Sequence, residues 1–226
     1  MPGASARRYG QYCPVARSLD VLGERWTLLV VRNLMMGPLR YSDLRDALPG
    51  VATDLLTSRL RTLEAADYVH RRRLPRPSSA TVYELTESGQ RLALVVLELA
   101  RVGLMHLGAP GDDEEVVADS VVLSLRASFR AEVAGDAQER YQLELDGERF
   151  AVTVHLGWAE TARGPADQPR LTLTSSARTF ARLISRDVDL ASALADGEVE
   201  LAGRKRDAER FLKIFSYPGS PAALTS

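Results

Sequence analysis

The chain has 226 residues, 45% of them apolar and 26% charged, which are the proportions of a soluble globular protein. Its longest apolar runs, such as Leu28–Val31 and Leu92–Val96, fall far short of the ~20 residues of a membrane span. The start, Met1 to Arg8, lacks the apolar core of a secretory signal. A single cysteine, Cys13, leaves no partner for an intrachain disulfide, and the three histidines, His70, His106 and His155, are scattered. Neither a structural zinc site nor any cofactor is expected, and a cytoplasmic location is.

Net charge is −1, which taken alone argues against a nucleic-acid binder. The two halves differ, however. Residues 1–108 hold 15 Lys+Arg against 10 Asp+Glu, and residues 109–226 hold 14 against 20. A basic module is joined to an acidic one. The boundary falls at Gly108-Ala109-Pro110-Gly111-Asp112-Asp113-Glu114-Glu115, where helix breakers and four consecutive acids predict a solvated linker over 109–116.

The first half reads mainly as helices. Val15 to Leu22 and the apolar stretch Trp26 to Met35 form two, the second stopped by Gly37-Pro38. A short helix is predicted over Asp43 to Leu48 with Ser42 as its N-cap. After the Pro49-Gly50 turn comes Thr53 to Asp67, with Leu56, Leu60 and Leu63 on one face. Tyr68 to Leu74 and Thr81 to Leu85 are strands of a hairpin whose tip is rich in Pro and Ser. Thr86-Glu87-Ser88-Gly89 opens a long helix, about Ser88 to Leu107.

The second half changes character. Val121 to Ala134 suggests helix, with strand open for Val121-Val122-Leu123. Tyr141 to Asp146 and Phe150 to Leu156 alternate around Asp146-Gly147, a hairpin signal. Leu171 to Ser175 is a strand, Ser176 to Ser185 and Leu190 to Ala195 are helices, and Asp189 caps the latter. Val199 to Gly203 is a short strand and Arg206 to Phe215 a closing helix. The fold class expected is therefore two domains: a mainly α winged helix-turn-helix, residues 1–108, followed by an α+β domain, residues 117–226.

Helix, Pro-Gly turn, helix and basic hairpin is the order of a winged helix-turn-helix, whose second helix enters the major groove of double-stranded DNA. Leu60 and Leu63 lie within about 40° of Leu56 around the helix axis. Opposite them fall Asp54, Thr57, Ser58 and Arg61, where short hydroxyls permit close approach and arginine suits guanine or phosphate. Ser42 and Thr53 stand at the starts of the two helices. Arg71, Arg72, Arg73 and Arg76 occupy the hairpin arm and its tip, within reach of phosphates. Each feature alone has a plainer reading, an amphipathic helix and a solvated charge run; their order favours DNA.

The stretch Cys13-Pro14 through Gly23-Glu24-Arg25-Trp26-Thr27, then Arg40-Tyr41-Ser42-Asp43-Leu44, Leu48-Pro49-Gly50-Val51, Leu56 to Glu64 and Tyr83 to Gly89, resembles the HxlR-type regulators over about residues 9–107. Arg25 replaces the family's usual lysine, and Ala66-Asp67-Tyr68 lies where a glycine is usual. Asp67 tolerates a left-handed conformation better than most non-glycine residues. MarR- and PadR-type winged helices are the nearest alternatives. The resemblance implies a transcriptional repressor or activator. It would act as a homodimer joined through terminal helices, with two recognition helices and two wings on a pseudo-palindromic operator. In parts of that family the N-terminal cysteine senses oxidants, and Cys13 holds the matching position; the alternative is a small residue packed beneath the first helix.

Residues 116–218 resemble the sterol-carrier-protein fold, most clearly from Pro169 through Leu194 and in Gly197-Glu198-Val199-Glu200-Leu201-Ala202-Gly203 and Leu212-Lys213-Ile214-Phe215. The resemblance implies a cavity for an apolar small-molecule effector. Phe150, Val152, Val154, Leu171, Leu173, Phe180, Leu183 and Ile184 either line that pocket or form core. His155 has no nucleophile or acid beside it in the pattern, so no enzyme is expected. The rival function is a lipid or apolar small-molecule carrier, which needs neither the wing arginines nor a recognition helix.

Overall fold

The computed structural model describes residues 8–75 and 79–217. The chain divides into two compact units, Met1–Val96 and Leu97–Ser226.

The N-terminal unit holds α1 (Pro14–Leu22), α2 (Thr27–Leu34), α3 (Tyr41–Asp46), α4 (Thr53–Ala65), β1 (Val69–Arg73), β2 (Thr81–Leu85) and the start of α5 (Glu87–Leu104), which crosses the division. Its core is built by Val30, Val31 and Leu34 of α2, Leu44 and Leu48, and Leu56, Leu60 and Leu63 of α4, closed by Val69 and Leu85 of the hairpin. Side chains so enclosed each contribute about 1.5–3 kcal/mol relative to exposure. The buried Asn33 joins this core without an orphaned amide: its Nδ2 donates to Ala47 O at 3.1 Å, tying α2 to the end of α3.

Local signals explain most boundaries. Pro14 begins α1 at the position where a missing N–H costs nothing. Trp26 precedes α2 with φ of 76°, an unusual left-handed conformation for so bulky a residue. The expected capping by Ser42 is corrected. The N-cap of α3 is Arg40, whose backbone N–H is accepted by Asp43 Oδ2 at 3.1 Å, while Ser42 Oγ donates to Asp43 Oδ1. The acid three residues into the helix outcompetes the serine because it reaches back to an otherwise unpaired donor. At the far end of α4, Asp67 takes φ of 59°, with Tyr68 N donating to Leu63 O at 2.9 Å. This is the left-handed helix stop for which glycine is usual.

β1 and β2 pair antiparallel from Val69↔Leu85 to Arg73↔Thr81, and Leu39 adds a one-residue bridge to Tyr83. The hairpin meets α5 tightly. Thr86 Oγ1 accepts from Gly89 N at 3.0 Å and donates to Asp67 O, and a Cβ on Gly89 would lie 2.0 Å from Tyr68 O.

The C-terminal unit contains α6 (Ala118–Ser128), α7 (Ala131–Ala134), β3 (Gln138–Leu145), β4 (Glu148–His155), β5 (Trp158–Arg163), β6 (Leu171–Ser175), α8 (Ala177–Ile184), α9 (Leu190–Ala195), β7 (Val199–Ala202) and α10 (Lys205–Phe215). The sheet order is β5-β4-β3-β6-β7, antiparallel except for the β3–β6 pair. Alternating residues Tyr141, Leu143, Leu145, Phe150, Val152 and Val154 are buried, as are Phe180, Phe211, Ile214 and Phe215 of α8 and α10. Asp189 caps α9 as expected, its Oδ1 accepting from Ala191 N and Ser192 N.

One expectation changes here, and one strand was not anticipated. The predicted Val121–Ala134 helix is two helices, because Arg130 N donates to Ile214 O and Ser128 Oγ to Phe215 O, so tertiary bonds replace the helical ladder. Val121–Leu123, for which strand was also open, is helix as first read. The strand β5 had no strong alternating signal; it is set by the Leu156-Gly157 turn, with φ of 44° and 86°. The acidic stretch is coil with its four acids exposed, as expected, and Arg178 tethers it by donating to Gly111 O at 3.1 Å and Glu114 O at 2.5 Å.

Candidate nucleic-acid interface

The exposed side of α4 gathers the residues expected there. Asp54, Thr57, Ser58, Arg61, Thr62 and Ala65 border one shallow recess, while Leu56, Leu60 and Leu63 are buried opposite. Thr53, Asp54, Ser58 and Arg61 are exposed and Thr57 is half-buried. No side chain caps this helix, so Asp54 in its first turn is the group that complements the positive end of the helix dipole.

Tyr41 of α3 was not singled out as a functional residue by sequence, yet it braces this face. Its phenol donates to Thr53 O at 2.9 Å and lies 3.2 Å from Thr57 Oγ1, which also donates to Thr53 O at 2.9 Å. The Thr57 rotamer is thereby fixed, with its proton committed and its oxygen lone pairs left for a donor. Thr62 likewise donates back to Ser58 O. The two helical arginines differ: Arg59 pairs with Glu24 at 3.1 Å, whereas Arg61 has no ion-pair partner among the described residues.

In the hairpin, Arg71, Arg72 and Arg73 are all exposed. Arg71 pairs with Glu64 at 2.7 Å, and Arg73 donates to Ser79 O at 3.4 Å with no ion pair among the described residues. Arg72 makes two bonds to Glu84, which also accepts from His70 Nε2 at 2.8 Å. The hydrogen bond from Arg72, chiefly, holds the Glu84 carboxyl below its ordinary pKa. Glu64 and Glu84 were not anticipated, although the register sets Glu84 directly across from His70, a cross-strand pairing readable from the alternation. Arg76 lies outside the described residues. Ser42, in the first turn of α3, is exposed and does not border the α4 recess.

Cys13 is the N-cap residue of α1 and is half-buried. Arg17, one turn further along α1, is directed to Asp20, at 4.0 Å. The eight residues offered for a pocket, Phe150, Val152, Val154, Leu171, Leu173, Phe180, Leu183 and Ile184, are at most 2% exposed and belong to the core of the C-terminal unit. Val154 also borders a polar recess beside Arg140 and Arg170. Among the described residues no group of three or more His, Cys, Asp or Glu is placed to hold a metal ion, and no helix is long and apolar enough to cross a membrane.

A helix-turn-helix followed by a basic hairpin defines the N-terminal unit as a winged helix-turn-helix of the kind found in transcriptional regulators. The HxlR-like helix-turn-helix family profile matches residues 21–109. A regulator of Synechocystis sp., sll1512, is 36% identical over 94 residues, covering 42% of this chain and 70% of that protein. The HTH-type transcriptional regulator YodB of Bacillus subtilis is 35% identical over 88 residues, covering 38% and 79%. The solved reduced form of YodB aligns with 45% of this chain and 100% of its own at 33% identity, with a TM-score of 0.38. The chain belongs to the HxlR-like helix-turn-helix family and is a helix-turn-helix transcriptional regulator.

Proposed function

We propose that the protein binds double-stranded DNA as a homodimer, placing one α4 in the major groove of each half of a pseudo-palindromic operator and its hairpin against the phosphates. The observation that carries this reading is the exposed face of α4. There, short side chains flank a guanidinium that no acid among the described residues occupies, the combination that base readout requires. Dimerisation is supported by apolar side chains left uncovered on two helices: Val15 and Leu19 on α1, and Leu94, Val95, Leu99 and Val102 on α5, each 40% or more exposed. Residues 1–108 act as the DNA-binding part, residues 109–116 connect, and residues 117–226 form a sterol-carrier-like effector or dimerisation part. That part responds to an apolar small molecule, and Cys13 offers a second input through oxidation. The test is fluorescence anisotropy on operator fragments selected from genomic DNA, beginning with the protein's own promoter. Saturable, sequence-dependent and salt-sensitive binding that requires Arg61 is expected; binding that is indifferent to sequence and to Arg61 refutes it.

A further inference from the structure

The C-terminal unit contains a cavity of about 350 Å³ that no expected pocket residue lines. It lies between the acidic stretch and α6, and its size falls in the range of small-molecule sites. Leu107, Pro110, Val116, Val117 and Val121 give it an apolar wall, and Ser120, Ser124, Tyr217, Glu114 and Glu115 supply its polar groups. Arg178 fixes the stretch that closes one side, through the carbonyls of Gly111 and Glu114, and is not itself part of the lining.

The polar groups present mostly acceptors. Ser124 has one hydroxyl proton, and it goes to Val121 O. The 2.7 Å contact between Ser124 Oγ and the Tyr217 hydroxyl is therefore one in which the phenol donates. That commits the Tyr217 proton as well and leaves lone pairs on its oxygen. Burial pushes the Tyr217 phenol up to about 12, so it stays neutral. Pro110 has no N–H. Glu114 accepts from Gly111 N at 2.9 Å and retains further lone pairs, and Glu115 has no ion-pair partner among the described residues. Only Ser120 among these side chains keeps an uncommitted donor.

We propose that this cavity binds an apolar small molecule bearing an amine or ammonium group. Its hydrocarbon part packs on Leu107, Val117 and Val121, and its N–H donors meet the Tyr217 oxygen and the carboxylates of Glu114 and Glu115. An anion is disfavoured by the two carboxylates, and the side chains offer it a single donor, the Ser120 hydroxyl. This deepens the effector reading of the C-terminal unit and rests on it for any regulatory consequence, though not for binding itself.

Calorimetric titration of the full chain with tryptamine, beside the anionic indole-3-acetate, tests the site. Saturable binding of the amine is expected, with the acid at least about tenfold weaker. Glu114→Gln combined with Glu115→Gln, on an exposed segment, should weaken the amine about tenfold, and Val117→Trp should abolish its binding by filling the space. Tyr217→Phe should weaken it several-fold; should that variant fail to fold, the glutamine pair still decides. No saturable heat with tryptamine, equal binding of the acid, or indifference to both the glutamine pair and Val117→Trp overturns the proposal. Operator binding measured with and without tryptamine separates the two levels. An amine that binds yet leaves operator affinity unchanged upholds the site and refutes the effector reading. Intact operator binding without amine binding overturns the site alone.

Discussion

Glu84 grips Arg72 across the hairpin with both carboxylate oxygens, the guanidinium Nε and Nη2 standing 2.9 and 2.7 Å away. An arginine so engaged must leave its carboxylate before it can neutralise a phosphate. Glu84→Gln should therefore tighten binding to any duplex and steepen the salt dependence by about one unit of slope, read from affinity at several salt concentrations. Arg73→Ala should cost more affinity than Arg72→Ala. An unchanged slope in Glu84→Gln would take Arg72 out of the interface.

The same pair sets a pH dependence. Because the Glu84 carboxyl is lowered mainly by the Arg72 hydrogen bond, the pair stabilises the hairpin fully above the ordinary carboxylate value of about 4.3. That stabilisation is lost as pH falls through the lowered value. Carboxyl NMR titration should show Glu84 moving back toward the ordinary value in Arg72→Ala.

Arg61→Ala should weaken binding to the selected operator by about 1–3 kcal/mol while changing non-specific binding far less. A uniform loss across sequences would reassign Arg61 to the phosphates.

Gly89→Ala should destabilise the N-terminal unit by about 1–3 kcal/mol, since the added Cβ meets the Tyr68 carbonyl at 2.0 Å and backbone must shift. Urea unfolding followed by Trp26 fluorescence in a Trp158→Phe background reads this directly. Wild-type stability in the variant would mean that the hairpin and α5 separate without penalty.

Leu94→Glu with Val95→Glu should convert the proposed dimer to monomer in sedimentation velocity and reduce operator affinity, because both side chains are more than half exposed on α5. Diamide should weaken operator binding of the native protein and spare Cys13→Ser; equal loss in both removes Cys13 as the sensor.

What the sequence made legible follows from how local each signal is. The α4 face rests on a helical period, and the structure places Asp54, Thr57, Ser58 and Arg61 together along one recess. Asp67 at the end of α4 was readable because few residues tolerate its conformation. The signals that failed are those decided at a distance. The break after Ser128 depends on carbonyls of α10, more than 80 residues away, and the order of the arginines by availability depends on Glu64 and Glu84. The strand and helix residues that pattern leaves open as pocket or core are core, because the sheet is covered by helices, and the space beside the connecting segment has no periodic signal to mark it.

The two tight turns of the β3–β4–β5 meander are not equivalent. Asp146 turns left-handed with φ of 51°, and its carboxylate accepts from Ala177 N at 3.1 Å while its own N–H reaches Ser175 O. That turn is stitched to the first residue of α8, so a peptide tag or fluorophore loop spliced at Asp146-Gly147 would unseat a helix. Leu156-Gly157 has no such side-chain tether among the described residues, and Leu156 is 57% exposed. It is the position at which a reporter could be grafted to follow the C-terminal unit without disturbing it.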